Sequence, residues 1–188
     1  DTEELRAGQT LYFVLVDLLA QKDTMEILAR LNRSYPFADN ETEAGVQKLL
    51  GPINKRIVHQ AVQALKAGDG EQLGALMVEA QQFFDRYATP ACPEELTAPV
   101  LHRVLAYEPL RPHIWGGKGV GSQGDGTAQF IARSEAGYQD ATKPTLATGP
   151  DNTIPVYRYT APDVVGTAGV LREVGSRTEA ISLPPRLD

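Results

Sequence analysis

The stretch 116-GGKGVGSQGDGTAQFIA-132 decides how this chain is read. Gly119, Gly121 and Gly124 satisfy the dinucleotide spacing G-x-G-x-x-G, but that chemistry needs a helix directly afterwards, whose N-terminal amides hold the pyrophosphate. The glycines lead instead into TAQFIAR, a β-prone run. A mononucleotide P-loop needs a lysine right after its last glycine, and Ser122 occupies that place after Gly121. The protein-kinase glycine loop does lie between two strands, yet no V-A-I-K, H-R-D or D-F-G segment accompanies it. Two readings survive: a glycine-rich hairpin, or a loop whose backbone approaches a ligand closely. Glycine at 116, 117, 119, 121, 124 and 126 exceeds what a tight hairpin requires. Successive amides in such a stretch can form an anion-binding concavity.

Upstream, QTLYFVLVDLL (Gln9–Leu19) shows little alternation, the pattern of a strand covered on both faces. Asp23 then caps a helix, with Glu26 three residues on as in a capping box and Ile27, Leu28 and Leu31 as the buried stripe. From Glu43 to Ala67 apolar residues recur at three- and four-residue spacing, which predicts an amphipathic helix kinked or divided at Pro52. Gly68 and Gly70 end it, and a second helix carries Leu73, Leu76, Met77, Ala80, Phe83, Phe84 and Tyr87 on one face. The two form an antiparallel hairpin. A short helix over Val100–Leu105 comes next, then strands at His113–Trp115 and Thr127–Ala132 joined by the glycines, and a further strand at Ile154–Tyr159. The fold class expected is α+β, a ferredoxin-like antiparallel sheet with helices packed on one face. Residues 1–162 form the domain and 163–188 a C-terminal tail or arm.

Composition narrows the function. With 188 residues, 42% apolar and 22% charged, the chain suits one soluble domain. A net charge of −6 gives no general attraction to phosphate backbones, so nucleic acid is not an expected partner. No apolar run approaches the ~20 residues that span a bilayer, so no membrane is expected either. Cys92 is the single cysteine, which suits a reducing, cytoplasmic setting. His59, His102 and His113 lack metal-ligand spacing, so no metal site is expected. Asp1 runs almost directly into a core strand, so the chain reads as a segment of a longer protein.

The glycine stretch resembles the C-terminal glycine-rich motif of the GHMP kinase superfamily, which includes galactokinase, homoserine kinase, mevalonate kinase and phosphomevalonate kinase. Gly116 falls on the opening glycine, Lys118 on the basic position, Gly121 on the central glycine and Gly126 on the closing one. Gln123 and Asp125 stand where the family prefers glycine, and Val120 where it prefers Ser or Thr. Two further segments resemble the family in order: VLVDLLAQKDTMEIL (Val14–Leu28) and GDGEQLGALMVEAQQFF (Gly68–Phe84). The likeness extends over about Gln9 to Ala132.

The resemblance implies the C-terminal half of an ATP-dependent small-molecule kinase, acting on a sugar, a sugar phosphate or a similar alcohol. It implies ATP and Mg as cofactors of the full-length protein, with none tightly bound to this chain. The family's P-x-x-x-G-L-x-S-S phosphate loop and acceptor-activating acid are not found in this sequence. The expected partners are therefore an N-terminal kinase domain and a small-molecule acceptor. No catalytic residue is assigned. The ligand-binding residues implied are Gly116, Gly117, Lys118, Gly121, Ser122, Gln123, Gly124, Asp125 and Gly126, together with Lys22, Asp23 and Thr24 at the first helix start. Two other expectations stand beside this one: a non-catalytic module binding a small anion, and a self-associating domain with exposed strand edges.

Overall fold

The computed structural model describes residues 5–18 and 20–141, and the backbone of 153–161, 172–173 and 179–182. Its spine is an antiparallel sheet. Strand β1 (Leu11–Asp17) lies between β3 (Thr127–Ala132) and β4 (Thr153–Ala161), while β2 (Ile114–Gly119) pairs with the far side of β3. The order β2-β3-β1-β4 is that of a split βαββαβ unit, the ferredoxin-like arrangement. Two short strands, β5 (Arg172–Glu173) and β6 (Glu179–Ser182), pair with β4. The rest of 163–188, read from sequence as a tail, lies outside the described residues.

The helices occupy the long connection from β1 to β2. They are α1 (Thr24–Asn32), α2 (Glu41–Lys48), α3 (Asn54–Ala67), α4 (Gly70–Tyr87), α5 (Pro93–Leu96) and α6 (Pro99–Leu105), with α7 (Glu135–Ala141) following β3. Pro52 does divide the helix predicted over 43–67, by a specific device. Residues Leu49–Ile53 form one π-helical turn, which accommodates the missing proline N–H and lets α3 continue. Gly68 caps α3 at φ 71°, and Asp69 caps α4 by accepting from the Gln72 amide at 2.9 Å.

Strand β1 is apolar on both faces because both are covered. Leu11 and Ile131 pack with Ala64, Leu73 and Met77 of α3 and α4. Val14, Val16, Ala128 and Phe130 point the other way, into a cluster with Leu101 and Val104 of α6 and Tyr138 of α7. The expected helical layer is thus α3 with α4, and the shorter α6 and α7 add a second cover. A third cluster, including Ile27, Val46, Ile57, Leu76, Cys92 and Leu96, ties α1 through α5 together away from the sheet.

Candidate functional site

The glycine stretch divides in two. Gly116, Gly117 and Gly119 belong to β2, where they pair with Ile131, Phe130 and Ala128. The sequence reading placed all the glycines in a connection between strands, and their weak β-propensity is the reason. What recruits them is contact. A Cβ on Gly116 would lie 2.2 Å from the Gly74 carbonyl oxygen, and one on Gly74 would lie 2.5 Å from the Trp115 Cβ. Helix α4 therefore meets β2 backbone to backbone. On the opposite face a Cβ on Gly117 would lie 2.2 Å from the Phe130 ring.

The turn proper runs from Val120 to Gly126, closed by the Val120 amide donating to the Thr127 carbonyl at 3.0 Å. Gly121, Gln123 and Gly124 take left-handed conformations, with φ of 64°, 63° and 67°. Positive φ suits Gly121 and Gly124, and at Gln123 it is held by burial, the residue being 4% exposed. Among the described residues the amides of Gly121, Ser122 and Gly124 have no acceptor, and those of exposed Gly121 and half-buried Ser122 remain open to a ligand.

The β1–α1 connection closes over this turn. Lys22 Nζ donates to the Gln123 carbonyl at 2.7 Å, and its side chain lies across Gly124 and Gly126, where a Cβ would sit 3.3 Å and 2.7 Å from it. Thr24 Oγ1 lies 3.4 Å from Ser122 Oγ. The two segments singled out by sequence, a hundred residues apart, thus meet at one corner. Asp23 is occupied locally: its side chain accepts from the Glu26 amide at 2.9 Å, the helix cap expected. The second half of the capping box does not form. Glu26 instead pairs with Arg30 at 2.5 Å, and the Asp23 amide donates to Glu95 Oε2 at 2.8 Å.

Asp125 has a structural partner as well. Its Oδ1 accepts from the Leu101 amide at 2.8 Å, at the start of α6, where Ala98 precedes Pro99 and offers no side-chain cap. The turn therefore caps a helix in trans. Lys118 is half-buried with its Nζ donating to the Gly119 carbonyl at 2.5 Å, and among the described residues it has no carboxylate partner. Burial lowers the pKa of both Lys118 and Lys22 from the ordinary lysine value. Two cations that are costly to keep charged and unpaired flank a turn with spare amides, an arrangement an anion would complete.

Sequence reasoning missed Gln81 and Glu95. Gln81, buried on α4, accepts from the Gly119 amide at 2.8 Å through Oε1 and donates to Asp85 at 2.8 Å, fixing the end of β2 as the turn begins. It lies seven residues beyond Gly74, two helical turns along the same face, so the register of α4 on β2 pointed to it. Glu95 carried no such signal, since its partner is set by where α5 docks.

No family model matches the chain, and no curated protein matches it in sequence. Solved structures do match in shape. Mevalonate kinase from L. major in complex with R-mevalonate superposes with a TM-score of 0.55 at 21% identity, over 85% of this chain and 44% of that one. A further mevalonate kinase gives 0.53 at 17% identity, over 79% of this chain and 39% of that one. Phosphomevalonate kinase from Streptococcus pneumoniae gives 0.51 at 10% identity, over 73% and 37%. The chain spans less than half the length of these enzymes. Among the described residues no helix is long and apolar enough to cross a membrane. At these identities the likeness establishes architecture alone: this chain carries an α+β fold shared with part of these mevalonate and phosphomevalonate kinases.

Proposed function

We propose that the chain is the C-terminal half of an ATP-dependent kinase for a small alcohol such as a sugar, a sugar phosphate or a mevalonate-like compound. In this reading it supplies part of the acceptor pocket and the turn that supports the phosphate-binding site. The observation that carries the proposal is the closure of Lys22 over the Val120–Gly126 turn. It brings the Lys22 cation to a backbone with unengaged amides, a combination suited to phosphate oxygens, while Lys118 lies on the strand that enters the turn.

ATP fits this corner by charge and by donor type. Among the described residues no cluster of three or more His, Cys, Asp or Glu side chains forms, so Mg would arrive with the nucleotide and be held by the other half. Phosphoryl transfer depends on positioning and charge stabilisation, and the Asp23 and Asp125 carboxylates of this corner are engaged with backbone amides. The activating base therefore belongs to the N-terminal domain, and the chain alone has little activity.

The test joins the chain to its N-terminal half and measures ATP consumption with sugars, sugar phosphates, mevalonate derivatives and homoserine. One acceptor class is expected to stimulate turnover, and stimulation by none would overturn the proposal. Gly121→Val adds a β-branched side chain at φ 64° in otherwise open space. It is expected to lower stimulated turnover about 100-fold, the scale of an ångström-level misplacement, with the helical circular dichroism unchanged.

A further inference from the structure

The molecule has a second concavity at the outer edge of β2. A cleft of about 500 Å³ opens there between α4 and α6, within the size range of small-molecule sites. Gly116, Gly117 and Phe130 line it from the sheet, Val78 from α4, and Leu105 and Ala106 from α6. These surfaces are apolar or bare backbone. The glycines are required by their contacts with Gly74 and Phe130, and they present bare backbone to the cleft.

The charged residues lining this cleft are Arg111 and Arg133, with the His102 imidazole beside them and no carboxylate in the lining. In a chain of net charge −6 that is a local reversal of sign. The nearest acids are already engaged. Asp85 lies 3.3 Å from His102 Nε2, and Glu108 lies 3.1 Å from Arg111 in a surface pair that solvent screens. Arg133 is held in place: its Nε donates to the Ile114 carbonyl at 2.8 Å, and its guanidinium stacks 4.3 Å from the centre of the Trp115 ring. Its two terminal nitrogens have no partner among the described residues.

We propose that this cleft binds an amphipathic anion, a compact aromatic or aliphatic body bearing a carboxylate or phosphate. The body lies against Val78, Leu105 and Phe130, and the anionic group takes charge-assisted hydrogen bonds from Arg133 and Arg111. The proposal is independent of the kinase reading, which is tested through the turn and through ATP consumption.

Trp115 is the single tryptophan and lines the cleft, so its fluorescence reports occupancy in the full 188-residue chain. Phenyl phosphate is expected to give a saturable change below about 5 mM, with inorganic phosphate and benzyl alcohol each binding at least about tenfold more weakly. Arg111→Gln and Val78→Glu are each expected to weaken phenyl phosphate about tenfold. Lys55→Gln, which removes an exposed cation on α3, should change nothing. Arg133→Gln should act in the same direction, but it also alters the Trp115 environment directly, so the other two variants decide. The proposal is overturned if phenyl phosphate gives no saturable change, if inorganic phosphate or benzyl alcohol binds as well, or if Arg111→Gln behaves like Lys55→Gln.

Discussion

The two halves of the glycine stretch use the same residue for opposite purposes. In β2, Gly116 and Gly117 are buried, and the atoms that forbid a side chain belong to the protein's own backbone and core. In the turn, Gly121 is exposed with nothing within 4 Å of an added Cβ, and only its φ of 64° favours glycine. A glycine-rich motif therefore need not be a ligand site along its whole length. Its first part lets a helix and a strand touch, and its second shapes a turn that a lysine crosses.

The most direct way to break this comparison is to add one side chain to each half. Gly116→Val places atoms within 2.2 Å of the Gly74 carbonyl, which is backbone and cannot step aside. The expected loss is at least about 4 kcal/mol, enough to leave much of the chain unfolded. Gly126→Ala meets only the far end of Lys22, at 2.7 Å from Cε, and that end can swing away. Its cost is expected below about 1 kcal/mol. Urea denaturation of both variants measures the contrast, and similar losses would remove the distinction between the halves.

Asp125 refines the picture of the turn. Its carboxylate satisfies the Leu101 amide at a helix start with no cap of its own. Asp125→Ala is expected to cost about 1 kcal/mol, the usual worth of a helix cap, and Asp125→Asn, which keeps an acceptor oxygen, about half as much. Urea midpoints would show the order, and an unchanged Asp125→Ala would mean the turn is held without this bond.

How much of the fold and site was legible depends on which interactions are local. The strand at β1, the α3–α4 hairpin and the cap at Asp23 rest on neighbours within a few residues, so periodicity and cap chemistry exposed them, whereas the equally local cap at Asp69 was passed over for the glycines beside it. The turn stood out by its glycine density, but Lys22 was selected only through the family resemblance. The strand glycines were not legible because their partner, Gly74, is 42 positions earlier and looks like an ordinary helical glycine. Asp125 resembles a turn residue until Ala98 is recognised as a helix start without a cap, and that requires the fold.

Lys118 sharpens the comparison from the other side, since it is the one charged residue of the strand half. Burial depresses its pKa below 10.5, so between the folded and unfolded values the unfolded chain holds more protons and stability rises with pH. The penalty is fully present below the folded-state pKa and vanishes above 10.5, where neither state is charged. Lys118→Met is therefore expected to raise Tm at pH 7 by about 2 °C, with the gap to the unaltered chain closing as pH approaches the lysine value. Differential scanning fluorimetry across pH 7 to 10 reads this directly. If the buried charge is kept to meet an anion at the turn, millimolar ATP should raise the Tm of the unaltered chain more than that of Lys118→Met. Equal shifts would assign Lys118 to the strand alone and leave Lys22 as the cation that serves the turn.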